Sequence, residues 1–124
     1  MKKEIVAKGV DAVPGVLSQA IDTGALVFVS GQIPITPNGE VLTGSVEGKV
    51  AQIMHNISAI LVASGLTLDS IVKATVYVTD LSQMSDFNKF YPTYFNAPYP
   101  AREAICVKEL PLGATVEVSV IAAR

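Results

Sequence analysis

Two side chains in the last quarter of the chain could act together on a small anionic molecule. Arg102 stands at the entrance of an apolar, strand-like stretch over residues 100–124, and Glu117 lies in the middle of its most β-prone part. A guanidinium offers a carboxylate two parallel donors and stays charged at any working pH. A carboxylate can aim a water at an electrophilic carbon and relay the proton that the water loses. Each has a plainer alternative: Arg102 as a surface residue in an ion pair, Glu117 as a solvated group on the outer face of an edge strand.

The elements around these two residues decide between the readings. Over residues 115–120, Val116, Val118 and Val120 alternate with Thr115, Glu117 and Ser119, so Glu117 belongs to a polar strand face. Leu110-Pro111-Leu112-Gly113 interrupts the strand pattern, and the region reads as a terminal hairpin turning near Leu112. In such a hairpin Arg102 and Glu117 are offset by about five residues, roughly 16 Å along the strands. They would not share a small ligand within one hairpin, whereas a cleft between two copies of the chain could join them.

Upstream, short strands are expected over 4–7, 19–22 and 25–29, the last two joined by a turn at Thr23-Gly24. Ser30-Gly31-Gln32 follows, and a glycine there permits a bulge or a close approach to the backbone. Residues 46–64 form the clearest helix, with Val46, Val50, Ile53, Ile57, Ile60 and Leu61 on one stripe, Ser45 as its cap and Gly65 as its stop. A strand over 71–79 and a second helix over 82–95, which Pro92 must kink or break, complete the pattern. The order is β-β-β-α-β-α-β-β: an α+β fold, a six-stranded mainly antiparallel sheet with two helices on one face and the other face left for partners.

Composition narrows the class. At 124 residues the chain is expected to be a single domain over 1–124. Half of its residues are hydrophobic and only 16% charged, which points to apolar surface covered by further copies. A net charge of −2 without a basic run lacks the footprint of a nucleic-acid binder, so no nucleic-acid partner is expected. The single cysteine, Cys106, excludes an intramolecular disulfide and favours a reducing compartment. Cys106 and the single histidine, His55, supply too few ligands for a zinc site, and a packed thiol is favoured over a Cys–His nucleophile. No apolar run approaches the length of a membrane-spanning helix and no signal or transit pattern is read at the N-terminus, so a cytoplasmic protein is expected.

Ser30-Gly31-Gln32-Ile33-Pro34, Ile71-Val72-Lys73-Ala74-Thr75-Val76, Phe87-Asn88 with Tyr91, Pro100-Ala101-Arg102 and Leu110-Pro111-Leu112-Gly113 followed by Val116-Glu117-Val118 resemble the reactive intermediate/imine deaminase family, also called RidA or YjgF. The resemblance covers almost the whole chain, in the family's order. It implies a chorismate-mutase-like fold and a homotrimer with three clefts between subunits. It also implies cofactor-free hydrolysis of 2-aminoacrylate and related 2-imino acids to 2-keto acids and ammonia, the activity of a 2-iminobutanoate/2-iminopropanoate deaminase. On this resemblance Arg102 holds the substrate carboxylate and Glu117 works on the water. Gly31 and Ala104 would present backbone groups to the substrate or the water, and Asn88 would add an amide.

Two positions depart from the family pattern. Leu17 stands where deaminases typically carry a tyrosine, and Glu103 follows Arg102 where a serine is common, placing a negative charge that could compete for the guanidinium. Two alternatives stay open: a non-catalytic module that binds a 2-keto acid through Arg102, and an endoribonuclease acting on single-stranded RNA. The acidic charge balance and the lack of a histidine pair weigh against the second.

Overall fold

A computed structural model describes residues 2–124; Met1, the first residue of the N-terminal segment read above and of the expected 1–124 domain, lies outside the described residues. Six strands, β1 (Lys3–Ile5), β2 (Ala20–Asp22), β3 (Leu26–Gln32), β4 (Ile71–Val78), β5 (Ala101–Cys106) and β6 (Val116–Ala123), form one sheet in the order β1-β2-β3-β6-β4-β5. All neighbours run antiparallel except β4 and β5, which are parallel. Two helices, α1 (Val46–Ala63) and α2 (Met84–Phe90), pack against each other, and α1 lies on β3 and β6. The expected α+β architecture and element order are therefore present.

Local chemistry accounts for the helix ends. Ser45 accepts a hydrogen bond from the Gly48 amide at 3.1 Å, satisfying one of the donors that a helix start leaves free. Gly65 ends α1 at φ +81°, where an L side chain would be strained, while the Gly65 and Leu66 amides cap the Val62 and Leu61 carbonyls. Val50, Ile53, Ile57, Ile60 and Leu61 are buried as one stripe, against Ala74, Val76 and Val78 of β4 and the three valines of β6. Pro92 breaks the second helix as expected: α2 stops at Phe90, and Tyr91–Tyr94 continues as a 3-10 turn.

The terminal hairpin does not form. β6 inserts between β3 and β4, and β5 pairs in parallel with β4 at the edge of the sheet. The segment from β4 to β5 contains α2, which gives the chain the length a parallel crossover needs. The turn chemistry at Leu110–Gly113 is real, with Pro111–Gly113 a 3-10 turn, but it carries the chain across β4 instead of folding β6 back onto β5. All six β5 residues are exposed, and the sheet face away from the helices is only partly covered. Among the described residues no helix is long and apolar enough to cross a membrane.

Candidate active site

The pairing register puts Arg102 and Glu117 on opposite faces of the sheet. Arg102 lies opposite Ala74, which also faces Val120, and Ala74 and Val120 belong to the buried helix side. Glu117 lies opposite Tyr77 on the other side. Their rows are three residues apart with β4 between them, so the two Cα atoms are separated by roughly 14 Å. The hairpin offset calculated from sequence does not exist; strand order and parity keep the two side chains apart instead.

On the helix side, the Arg102 guanidinium rests on two aromatic rings of the segment that follows β4. Its central carbon is 5.0 Å from the Tyr91 ring centroid and 5.6 Å from that of Phe87, and those two rings stack at 5.2 Å. Phe87, Tyr91 and Phe95 fall on one face at a spacing of four residues, which reads as core from sequence and is core. The same face doubles as a shelf for the cation, worth about 0.5–1 kcal/mol at an exposed site. Arg102 has no salt bridge or hydrogen bond within the protomer among the described residues, whereas Arg124, the chain's other arginine, is tied to Asp22 and to the Ser64 carbonyl.

Glu103 does not compete for Arg102. Successive strand residues point to opposite faces, and Glu103 pairs with Lys73 across the β4–β5 ladder at 2.8 Å. The hydrogen bond from Lys73 and its charge hold the Glu103 carboxyl below the usual glutamate range. A 380 Å³ cleft beside Arg102 is lined also by Asn88, Tyr91, Pro92, Tyr99 and Pro100. Asn88 and Arg102 thus line one cleft. Ala104 lies two residues along the same exposed strand, opposite Val76, and does not line that cleft. The Tyr91 hydroxyl is buried with no hydrogen-bond partner, and burial raises its pKa against the opposing charge of Arg102.

Glu117 and Gly31 meet on the other side. A register shift between Val29 and Gln32 marks an irregularity in β3, and Gly31 lies within it. The Glu117 carboxylate occupies the space that a side chain at position 31 would fill: a Cβ there would overlap Oε2 and stand 2.8 Å from Cδ. Sequence permitted a bulge or a close approach at this glycine, and both occur. The approaching group is a side chain 86 positions later, which no local pattern could name. Both residues line a 300 Å³ cleft. Burial alone raises the Glu117 pKa, and within the protomer its carboxylate has no salt-bridge or hydrogen-bond partner among the described residues.

This interlock makes a direct prediction. Gly31→Ala should leave the fold intact, because the group in the way is the flexible end of a glutamate, but should push the carboxylate out of its recess. The raised Glu117 pKa should then relax toward 4.5, as followed by carboxyl NMR titration. An unchanged titration in Gly31→Ala would show that the two residues do not constrain each other.

The protomer therefore carries two incomplete clusters: a free cation with an amide on one flank, a half-buried acid over a glycine on the other. Among the described residues no three His, Cys, Asp or Glu side chains converge as metal ligands.

Comparison with known proteins identifies the family. Protein HMF1 of Saccharomyces cerevisiae is 37% identical over 120 residues, covering 97% of this chain and 93% of that protein. A protein of Escherichia coli named "Putative reactive intermediate deaminase TdcF" is 35% identical over 127 residues, covering 100% of this chain and 98% of its own. The crystal structure of yeast Mmf1 superposes with a TM-score of 0.95 at 35% identity, covering 100% of this chain and 99% of that one. The crystal structure of E. coli TdcF with bound serine gives 0.91 at 35% identity, covering 98% of each chain. A family model described as Endoribonuclease L-PSP matches residues 11–124, and with these relatives it establishes that the chain belongs to that family, the RidA/YjgF family.

Proposed function

We propose that the chain hydrolyses reactive 2-imino acids and their enamine tautomers, such as 2-aminoacrylate, to 2-keto acids and ammonia, without a cofactor, in clefts between the subunits of a homotrimer. The two complementary half-sites carry this reading. Arg102 and Asn88 have the groups to hold and orient a carboxylate, Glu117 has the group to handle water, and neither cluster is complete in one protomer. The edge strand β5, exposed at all six residues, is a surface that natural sheets usually cover and supports contact with another copy. The deaminase name of TdcF and the serine bound in its crystal structure point the same way.

In this mechanism Arg102 fixes the substrate carboxylate through two parallel N–H donors. Glu117, ionised, takes a proton from water as its oxygen bonds to the imine carbon, and delivers that proton to the nitrogen. The resulting carbinolamine loses ammonia, its hydroxyl proton passing through Glu117 as the C–N bond breaks and the ketone forms. Backbone groups at Gly31, which lines the Glu117 cleft, and at Ala104, two residues along β5 from Arg102, would bind the substrate or the water. An RNA-cleaving function, which the family description names, finds less support: the net charge is −2 and a single histidine leaves no acid–base pair.

The test generates 2-aminoacrylate with a dehydratase and follows keto acid formation. Adding the protein should accelerate it, and the rate should fall as pH drops through the raised pKa of Glu117, above 4.5. Glu117→Gln should abolish the acceleration and the acidic limb together. Its effect on stability should have the opposite sign. A carboxyl with a raised folded pKa contributes stability that is complete below the unfolded value and lost as pH rises through the folded one. Removing that charge should therefore leave the neutral-pH Tm equal to or above that of the parent. Binding of a keto acid without acceleration would instead support a carboxylate-binding module.

A further inference from the structure

Leu112 is the one residue other than glycine with φ in the left-handed region among the described residues, at φ 56° and ψ 26°, and it is 71% exposed. A branched side chain rarely adopts this backbone, where glycine or asparagine would be at ease. Packing does not account for it, since an exposed leucine gains little from burial. What the conformation does is set the side chain on the rim of the Glu117 cleft. Val13, Leu17, Ile33, Ile35 and Pro111 form the rest of its apolar lining, beside the polar Asp11, Gln19, Ser30 and Gln32. Val13 and Leu17 are 42% and 47% exposed, so the wall presents unfilled apolar surface around a carboxylate.

We infer that this wall is a specificity pocket for the substrate side chain, with Leu112 and Leu17 as its determinants, and that the chain prefers 2-imino acids with aliphatic side chains of about four carbons over those with a single methyl; the assignment rests on the deaminase reading of Glu117. The cleft holds 300 Å³, the liquid volume of roughly ten waters, far more than a methyl group needs. A substrate whose carboxylate is held by Arg102 and whose imine carbon faces the Glu117 water must direct its side chain to one side of that water. Most of the exposed lining of that cleft is hydrocarbon. Leu17 adds a second branched hydrocarbon side chain to the lining. A second copy of the chain seated directly on the same wall is the competing occupant, and the oligomeric state of Leu112→Asn separates the two.

The experiment compares the imines that an L-amino acid oxidase makes from alanine and from leucine. In parallel, calorimetry measures the affinity for pyruvate and for 4-methyl-2-oxopentanoate, a readout that needs no catalysis. The parent should favour the leucine-derived imine by at least about tenfold in kcat/KM, the scale of hydrophobic side-chain discrimination, and should bind the larger keto acid more tightly. Leu112→Asn, which tolerates the left-handed backbone, should keep the Tm and the oligomeric state and lose most of the preference. Equal handling of the two substrates and keto acids by the parent overturns the inference while deaminase activity on both leaves the proposed function standing. Keto acid selectivity that depends on Leu112 without any turnover supports the pocket and sinks the deaminase reading. Loss of assembly in Leu112→Asn with selectivity unchanged assigns the wall to a second copy and overturns the inference, as does failure to bind either keto acid.

Discussion

Arg102→Ala is expected to lower kcat/KM for 2-imino acids by at least about 100-fold while moving the Tm only slightly. The expectation follows from what Arg102 does and does not touch. It sits on an exposed edge strand with no carboxylate or hydrogen-bond partner among the described residues of its protomer, so its removal breaks no pair among them. What is lost is the cation against two aromatic rings, and exposed substitutions of this kind stay within about 0.5–1 kcal/mol. The bound substrate, by contrast, would bring a carboxylate into a partly dehydrated cleft and find no counter-charge. Breaking such a pair costs roughly 3–5 kcal/mol, and each 1.4 kcal/mol is about a factor of ten in rate.

Arg102→Lys separates charge from shape. A lysine restores the positive charge but supplies a compact ammonium in place of a planar fork, and it loses the flat surface that lies on Phe87 and Tyr91. It should recover only a small part of the activity, with kcat more damaged than KM, because a singly held carboxylate leaves the imine carbon free to swing away from the water. Full activity in Arg102→Lys would mean that the residue only attracts anions, and turnover undiminished in Arg102→Ala would remove it from the reaction.

The comparison of sequence and structure turns on which interactions are local. The valine alternation of β6, the Ser45 cap and the Gly65 stop depend on neighbours within a few residues, and each is where the pattern predicts it. The β5–β6 hairpin failed because a turn signal at Leu110–Gly113 says that the chain changes direction but not which strand it joins; that choice is made by burial, and the valine-rich β6 takes the central place that the exposed β5 could not use. Glu103 was legible in part: the alternation of a strand already turns it away from Arg102, while its partner Lys73 needs the β4–β5 pairing to be known. Phe87 and Tyr91 read as core, and nothing in their spacing says that the edge of that core would support a guanidinium from another strand. Leu112 read only as part of a turn, since a backbone angle leaves no mark on the residue that adopts it.

Mixing two inactive variants should restore activity, and this result bears most directly on how the site is built. Arg102→Ala and Glu117→Gln are each expected to be nearly silent alone, the first without a grip on the carboxylate and the second without a base for the water. If each site takes its arginine from one protomer and its glutamate from the next, a site is whole when an Arg102-bearing protomer neighbours a Glu117-bearing one in the right order. Random co-assembly of equal amounts in a closed ring makes about one site in four whole, so about a quarter of the parent activity should return. The two residues point to opposite faces of one sheet across an intervening strand, which is why the same protomer cannot supply both to a molecule of a few atoms. Co-refolding from denaturant, with mass analysis to verify that mixed oligomers form, allows the subunits to exchange before the assay. Mixed oligomers that remain silent would require each site to draw both groups from one chain, and no arrangement of β4, β5 and β6 in this register allows that.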